Sequence, residues 1–384
     1  VGFHITVIQK VKHFPLKKME LVMYINQETA SKFSGLKIGL VFDVPHMLDN
    51  LDFPACAMQE WESSNTIIKI RDTWESLGLT VEMFPLNESF WKRWRAYASQ
   101  IDVVHTLVEG FGSMDRESWI PSLCQLSGIS CIGSEPRGHS LGMDKSLSLL
   151  LAQSLGITVA PFFLVQTLEE VHGAELRQFL SQIKSSFVFV KPNGEGSGIG
   201  ISARSIVPNE ECKVIEVLSE QISPFPEGVL VQEHLPGSEF TLALVGNPLT
   251  SLPLAQVRVP GGVYGEEIKT KSFMPEELLF DTISSDLERK MARDCERFCA
   301  RAGIRDLVRF DWKMDGLGRM TLLEVNTLPG LSFYYSVLPK LAERGGYSYA
   351  KLFQLILESS LSQTSTPRQL SYSRAFSASR LDLE

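Results

Sequence analysis

Residues 307–326, LVRFDWKMDGLGRMTLLEVN, read as two strands joined by a tight turn. Apolar and polar side chains alternate along both arms, and the glycines at 316 and 318 suit the left-handed backbone that such turns need. If Met314 pairs with Arg319, then Arg309 faces Glu324 and Asp311 faces Leu322. Side chains alternate across a strand, so Phe310, Trp312, Leu323 and Val325 should form a buried face. The opposite face then carries Arg309, Asp311, Glu324 and Asn326, two carboxylates and an amide beside one arginine. An ion pair between Arg309 and Glu324 on an ordinary surface is the plain reading of that face. Carboxylate and amide oxygens are also the ligands Mg²⁺ takes, usually alongside phosphate oxygens.

A second feature asks for a phosphate. VKPNGEGSGIG (190–200) ends a strand and places glycines at 194, 196, 198 and 200. Only glycine takes positive φ freely and lets backbone N–H groups close directly on a ligand. A flexible surface turn is the alternative. The common nucleotide fingerprints do not fit. No GK[ST] ends the loop, because Gly200 is followed by Ile201-Ser202, and G-x-G-x-x-G fails because isoleucine stands at its last position in either register.

The rest of the 384 residues supports a multi-domain α/β protein. LKIGLVF (36–42) is a buried strand, and strands and helices then alternate to about residue 134, which predicts a parallel sheet covered on both faces. DKSLSLLLAQSLGI, LEEVHGAELRQFLSQI and residues 284–302 are predicted helices, each of the first two being followed by a strand. With 44% hydrophobic and 21% charged residues the composition is that of a globular protein, and a net charge of −8 argues against a broad nucleic-acid surface. No apolar run reaches the roughly 18 residues that would span a membrane. The six cysteines show no C-x-x-C pair, Cys295 and Cys299 read as helix packing, and the expected compartment is the cytoplasm. Residues 1–35 form a basic N-terminal extension without a signal-peptide pattern, and 361–384 are serine-rich and expected to be a disordered tail.

FVKPNGEGSGIG, VQEHLPGSEFTL, VRFDWKM and LLEVNTLPGLS, in that order and spacing, resemble the D-alanine–D-alanine ligase family of ATP-grasp enzymes. LVEGFGSMDRESWIPSLCQLSGISCIGS and LGMDK extend the resemblance to roughly residues 36–358. It implies a three-domain ATP-grasp fold: an N-terminal parallel-sheet domain at 36–134, a central subdomain at 135–232 and a C-terminal subdomain at 233–360. The implied activity is ADP-forming ligation of two amino acids or small peptides through an acyl phosphate, with ATP and two Mg²⁺ ions as cofactors. Homodimers are common in the family. A non-catalytic ATP-binding protein that kept the fold is the alternative.

By the same resemblance, Lys145 and Lys191 contact the nucleotide phosphates, and Glu195, Gly196, Ser197 and Gly198 belong to the loop that closes over them. Gln232, Glu233 and Leu235 fall on the adenine-contacting strand, with glutamine where the family more often has glutamate, and Glu239 on the ribose. Asp311, Glu324 and Asn326 match the metal ligands, while Arg309 and the Gly330 N–H match the oxyanion donors. Lys269 matches the mobile-loop lysine that reaches the γ-phosphate, with Lys271 a two-residue slip away.

The departures concern the amino-acid sites. The family's glycine pair and serine after the first strand are missing from DVPHMLDNLDFPACAMQEWESSNT. Alignment back from Gly78 puts Glu60 at the position that grips the first substrate's ammonium, with Glu62 two residues on. Thr270 replaces the family's tyrosine or histidine, and one extra residue between Gly330 and Pro339 leaves Ser336 or Tyr335 for the second substrate's carboxylate. These changes point to shared chemistry on altered substrates.

Overall fold

The computed structural model describes residues 32–44, 60–258 and 277–363. Its first sheet contains β1 (Lys37–Phe42), β2 (Thr80–Pro85), β3 (Val103–Leu107) and β4 (Ser130–Ile132), all parallel in the order β2-β1-β3-β4. Helix α1 (Ser64–Ser76) begins where the Ser63 hydroxyl accepts from Thr66 N and stops before Gly78, whose φ of 90° no β-carbon would favour. Helices α2 (Phe90–Tyr97) and α3 (Trp119–Ser127) cover the other face. The expected parallel sheet with two covered faces is therefore observed.

Helices α4 (Pro136–Met143) and α5 (Lys145–Ser154) lead to a second, antiparallel sheet. Its strands are β5 (Phe162–Val165), β6 (Phe187–Pro192), β7 (Ile206–Pro208) and β8 (Val229–Glu233), in the order β5-β8-β6-β7. The single helix expected from LEEVHGAELRQFLSQI is broken at Gly173 into α6 (Leu168–Val171) and α7 (Ala174–Gln182). With α8 (Glu211–Gln221) they bury Val188, Val190, Val229 and Val231. The alternate residues, Phe189, Lys191 and Gln232, thereby project from the uncovered face.

The third sheet is antiparallel and six-stranded: β9 (Glu239–Gly246), β10 (Thr250–Ser251), β11 (Ala255–Arg258), β12 (Glu277–Phe280), β13 (Asp306–Met314) and β14 (Met320–Asn326). The order is β12-β11-β9-β13-β14, with β10 beside β9. Helix α9 (Ser285–Ala302) covers one face, packing Met291, Cys295, Phe298 and Cys299 against Phe310, Trp312 and Leu322. Both cysteines are thus buried packing residues, as expected. The other face is divided. Ala243, Val245 and Leu307 share a core with the first sheet, whereas Glu239, Asp311 and Lys313 face a cleft toward the second. Helices α10 (Val337–Arg344) and α11 (Tyr349–Gln363) complete the chain described, and α11 packs Leu352, Phe353, Ile356 and Leu357 into the core of the first sheet.

Candidate active site

The uncovered faces of the second and third sheets enclose a cleft of about 880 Å³ including its open mouth, lined by Lys191, Glu195, Gln232, Glu239, Asp311 and Glu324 among others. The segment 194–200 closes one side of it. Ser197, Gly198 and Gly200 have φ of 50°, 76° and 72°, and Ile199 N and Ile201 N donate to Gly196 O (3.0 Å) and Gly198 O (2.9 Å). Ile199 is buried and pins the loop. A β-carbon on Gly200 would lie 2.6 Å from Pro192 and 2.7 Å from Phe225, so this glycine serves packing as well as backbone conformation.

Two buried lysines stand under the loop. Lys145 opens α5 directly after its N-cap Asp144, whose Oδ1 accepts from Leu147 N (2.9 Å), Ser146 Oγ (2.6 Å) and Asn193 Nδ2 (3.0 Å). That staple ties the base of the glycine loop to the helix. Lys145 Nζ donates to Glu195 O and lies 3.9 Å from Glu324 Oε2. Lys191 Nζ lies 3.5 Å from Leu323 O. Burial, reinforced by Lys145 and opposed by Glu324, Glu239 and Asp311, lowers the Lys191 ammonium to about 8.

On the adjoining wall Gln232 is 2% exposed and its Nε2 is buried without a hydrogen-bond partner among the described residues. An orphaned donor facing a cleft is satisfied by a ligand's acceptor. Glu233 turns its carboxylate away to accept from Ser185 N (3.0 Å), and Leu235 is buried in the wall. Glu239 is raised by burial, against the nearby Lys313 ammonium at 3.4 Å.

The hairpin differs in register from the sequence expectation. Met314 pairs with Met320 rather than Arg319, because Asp315 Oδ1 accepts from both Leu317 N and Arg319 N and rounds a longer turn. A bulge follows: Trp312 pairs with Leu322, yet Asp311 pairs with Glu324 and Arg309 with Asn326. Leu323 is the residue left over, so Leu322 takes the core position expected for Leu323, which lines the cleft instead. Arg309, Asp311, Glu324 and Asn326 remain together. Arg309 binds Asp311 rather than Glu324, through Nε (3.0 Å) and Nη2 (2.9 Å). Asp311 also accepts from Thr241 Oγ1 (2.7 Å) and Asn326 Nδ2 (2.9 Å).

Among the described residues no group of three or more His, Cys, Asp or Glu could hold a metal unaided. The oxygen-only set Asp311, Glu324 and Asn326, facing two ammonium groups, fits Mg²⁺ that completes its shell with phosphate and water.

At the far end the structure separates the two glutamates. Glu60 does not stand free at the site: its Oε2 lies 3.0 Å from Arg116 Nη2 in a buried pair. Glu62 instead lies beside Gly330, its Oε1 being 3.6 Å from where a β-carbon on that glycine would sit. Glu62 accepts from Tyr335 OH (2.5 Å) and is raised by burial, with Tyr335, Leu331 N and Thr66 pulling the other way. Ser336 Oγ accepts from Ser332 N (3.0 Å) and would touch a Gly330 β-carbon at 2.7 Å. Tyr335 is half exposed. Lys269, Thr270 and Lys271 lie outside the described residues.

Several contributors are absent from the sequence reading. Asp43 accepts from Glu109 N (2.8 Å) and Gly110 N (3.1 Å), and burial raises it to about 6. Glu109 is raised well above the ordinary carboxylate by burial and by Glu60, Glu117 and Asp43. Arg116 and Glu117 form a single 3₁₀ turn with Ser118 before α3. The available signal was DRES, a polar cluster directly before an apolar helix, with the carboxylates that answer it far away in sequence.

A family model described as D-ala D-ala ligase C-terminus matches residues 151–358. The D-alanine–D-alanine ligase of Pseudoalteromonas translucida is 30% identical over 269 residues, covering 70% of this chain and 83% of that protein. The D-alanine–D-alanine ligase of Oceanobacillus iheyensis is 26% identical over 284 residues, 72% and 73% of the two chains. Among solved structures, D-alanine–D-alanine ligase from Bacillus anthracis complexed with ATP superposes with a TM-score of 0.67 at 20% identity, over 86% of this chain and 99% of that one. At that identity the likeness is one of fold, here the ATP-grasp fold.

Proposed function

The chain belongs to the D-alanine–D-alanine ligase family, and from that premise we propose how its site divides the work of an ATP-dependent carboxylate–amine ligase. The first amino acid's carboxylate attacks the γ-phosphorus of ATP, expelling ADP and forming an acyl phosphate. The second amino acid's amine then attacks the acyl carbon and expels phosphate. No side-chain nucleophile is needed.

In our reading Lys145, Lys191 and the backbone of Glu195–Gly198 hold the phosphates. Gln232 Nε2, with the backbone of Glu233 to Leu235, meets the adenine, and Glu239 meets the ribose. Asp311, Glu324 and Asn326 would hold two Mg²⁺ ions, which neutralise phosphate charge. Arg309 and Gly330 N–H stabilise the oxyanion on the acyl carbon, each such donor being worth about 10²–10³ in rate. Of the two candidate glutamates, Glu62 is the better holder of the first substrate's ammonium, because Arg116 already neutralises Glu60 while Glu62 borders Gly330. Ser336 and Tyr335 flank the second substrate, and Lys269 or Lys271 reaches the γ-phosphate. Amino acids or small peptides are the partners, the cytoplasm the compartment and a homodimer the assembly that this reading expects.

One observation carries it: two buried ammonium groups, Lys145 and Lys191, face Asp311 and Glu324 across a cleft whose wall holds an orphaned amide donor. A polyphosphate with its cation and an attached base satisfies all of them together. The test is ADP release with Mg²⁺ across D- and L-amino acids, D-alanine first, with mass spectrometry of products. Amino-acid-dependent ADP release with a dipeptide product is expected. ATP binding with no turnover on any amino acid would favour the non-catalytic alternative.

A further inference from the structure

The turn Arg116–Ser118 belongs to the first unit, yet its two charged residues reach both walls of the nucleotide cleft. Arg116 is 3% exposed. Its Nη1 donates to Gly194 O (3.0 Å), and its Nη2 donates to Glu60 Oε2 (3.0 Å) and lies 3.3 Å from Glu195 Oε2. Gly196 lies so close to Glu60 that a β-carbon there would collide with Oε1. On the other wall, Glu117 Oε2 accepts from Thr327 Oγ1 (3.0 Å) and lies 3.2 Å from Nδ1 of the buried His139. Thr327 directly follows Asn326 at the end of β14.

We propose that Arg116 and Glu117 are a positioning pair that couples the amino-acid site to the nucleotide loop. One buried guanidinium compensates Glu60 and Glu195 together only while the loop is docked on the segment 60–62. Drawing the loop away strips the buried Arg116 of Glu195 and of the Gly194 carbonyl, and a buried charge that loses partners is strongly disfavoured. Glu62, two residues from Glu60, borders Gly330, so a substrate held there steadies the same segment on which the loop docks. Glu117 holds the opposite wall through Thr327. Amino-acid binding thereby favours loop docking, and by linkage nucleotide binding favours the amino acid equally. The inference rests on the ligase reading, since it takes Glu62 to hold substrate.

The test measures affinity for a non-hydrolysable β,γ-imido ATP analogue with Mg²⁺, with and without the amino acid that best supports ADP release, D-alanine first. In the unaltered enzyme the amino acid should tighten analogue binding by about fivefold or more, the lower end of ordinary allosteric coupling. In Arg116→Ala that ratio should fall to near one, whatever happens to the absolute affinity. If Arg116→Ala does not fold, Gly196→Ala decides, because it keeps every charge and pushes the loop off Glu60; it also touches the phosphate-holding backbone, so the ratio and not the absolute affinity is read. A ratio near one in the folded variant supports the coupling, and an unaltered ratio overturns it. A purely structural role would shift melting temperature or both affinities without changing their ratio. Failure of the unaltered enzyme to ligate any amino acid sinks the ligase reading, whereas ligation with a ratio of one sinks only the coupling.

Discussion

At the nucleotide end of the cleft, Lys191, Gln232, Glu239, Asp311 and Glu324 stand on paired strands, and Lys145 at a helix start. At the end proposed for the amino acids, Glu60, Glu62 and Tyr335 stand on connecting segments, held by side-chain bonds to residues far away in the chain. A strand residue is placed by its ladder, and its direction follows from which neighbours are buried. A loop residue is placed by its partner, and exchanging the partner moves it. The two ends should therefore respond differently to substitution.

The largest effect is expected where the ends meet. Arg309→Ala should cut turnover by at least about 10²–10³ and leave nucleotide-analogue affinity within a few-fold, because its work lies in the transition state. Steady-state kinetics beside equilibrium binding checks this, and surviving turnover would remove Arg309 from the oxyanion role. Asp311→Asn comes next. It should raise the Mg²⁺ concentration for half-maximal activity by about 10–100-fold, the cost of weakening even the outer partners of a metal ligand. An unchanged Mg²⁺ titration would mean the ion sits elsewhere.

Lys191 gives a prediction in pH. Its folded value of about 8 lies below the ordinary 10.5, so the folded protein releases this proton first. Phosphate affinity should weaken as pH rises through about 8. The lysine's contribution to folding stability should rise over the window from about 8 to the ordinary 10.5, because the unfolded chain then binds the extra proton. Nucleotide titrations and chemical denaturation over that range should move in opposite directions. Lys191→Arg should flatten the nucleotide profile, since guanidinium does not titrate there.

The smallest effect concerns Gln232. Gln232→Leu removes a buried donor that has no partner among the described residues, so the ligand-free protein should melt at an equal or higher temperature. ATP affinity should fall about fivefold, the worth of one hydrogen bond of about 1 kcal/mol. A lower melting temperature would show that the amide has a protein partner after all.

The same division explains what could be read from the chain. The polar face of the β13–β14 hairpin follows from alternation alone, and Phe310, Trp312 and Val325 are buried as that alternation requires. Its register does not follow, because Leu322 and Leu323 are both apolar and nothing local says which is the bulge. The lengthened turn rests on one Asp315 side chain capping two N–H groups, a choice that a shorter turn matches equally well in sequence. Glu60 and Glu62 differ by two positions along a segment with no periodicity to place them. What separates them is Arg116, more than fifty residues later and on another element. Close residues on one ladder are legible, and pairs made by tertiary contact are not.

The packing of α11 against the first sheet has a consequence for how the protein is made. Trp74 of α1 rests against Phe353 of α11 with ring centroids 4.9 Å apart, so one hydrophobic core joins the first sheet to the last helix described. A ribosome releases the strands β1 to β4 long before residues 352–357 emerge. Until then Ile38, Leu40 and Trp74 belong to a core that Ala243, Val245, Leu307 and Leu338 join on the way and that the late-arriving helix completes. The first sheet is made well before the helix that completes its core, and through that interval its apolar face depends on chaperones or on the speed of elongation to keep from aggregating.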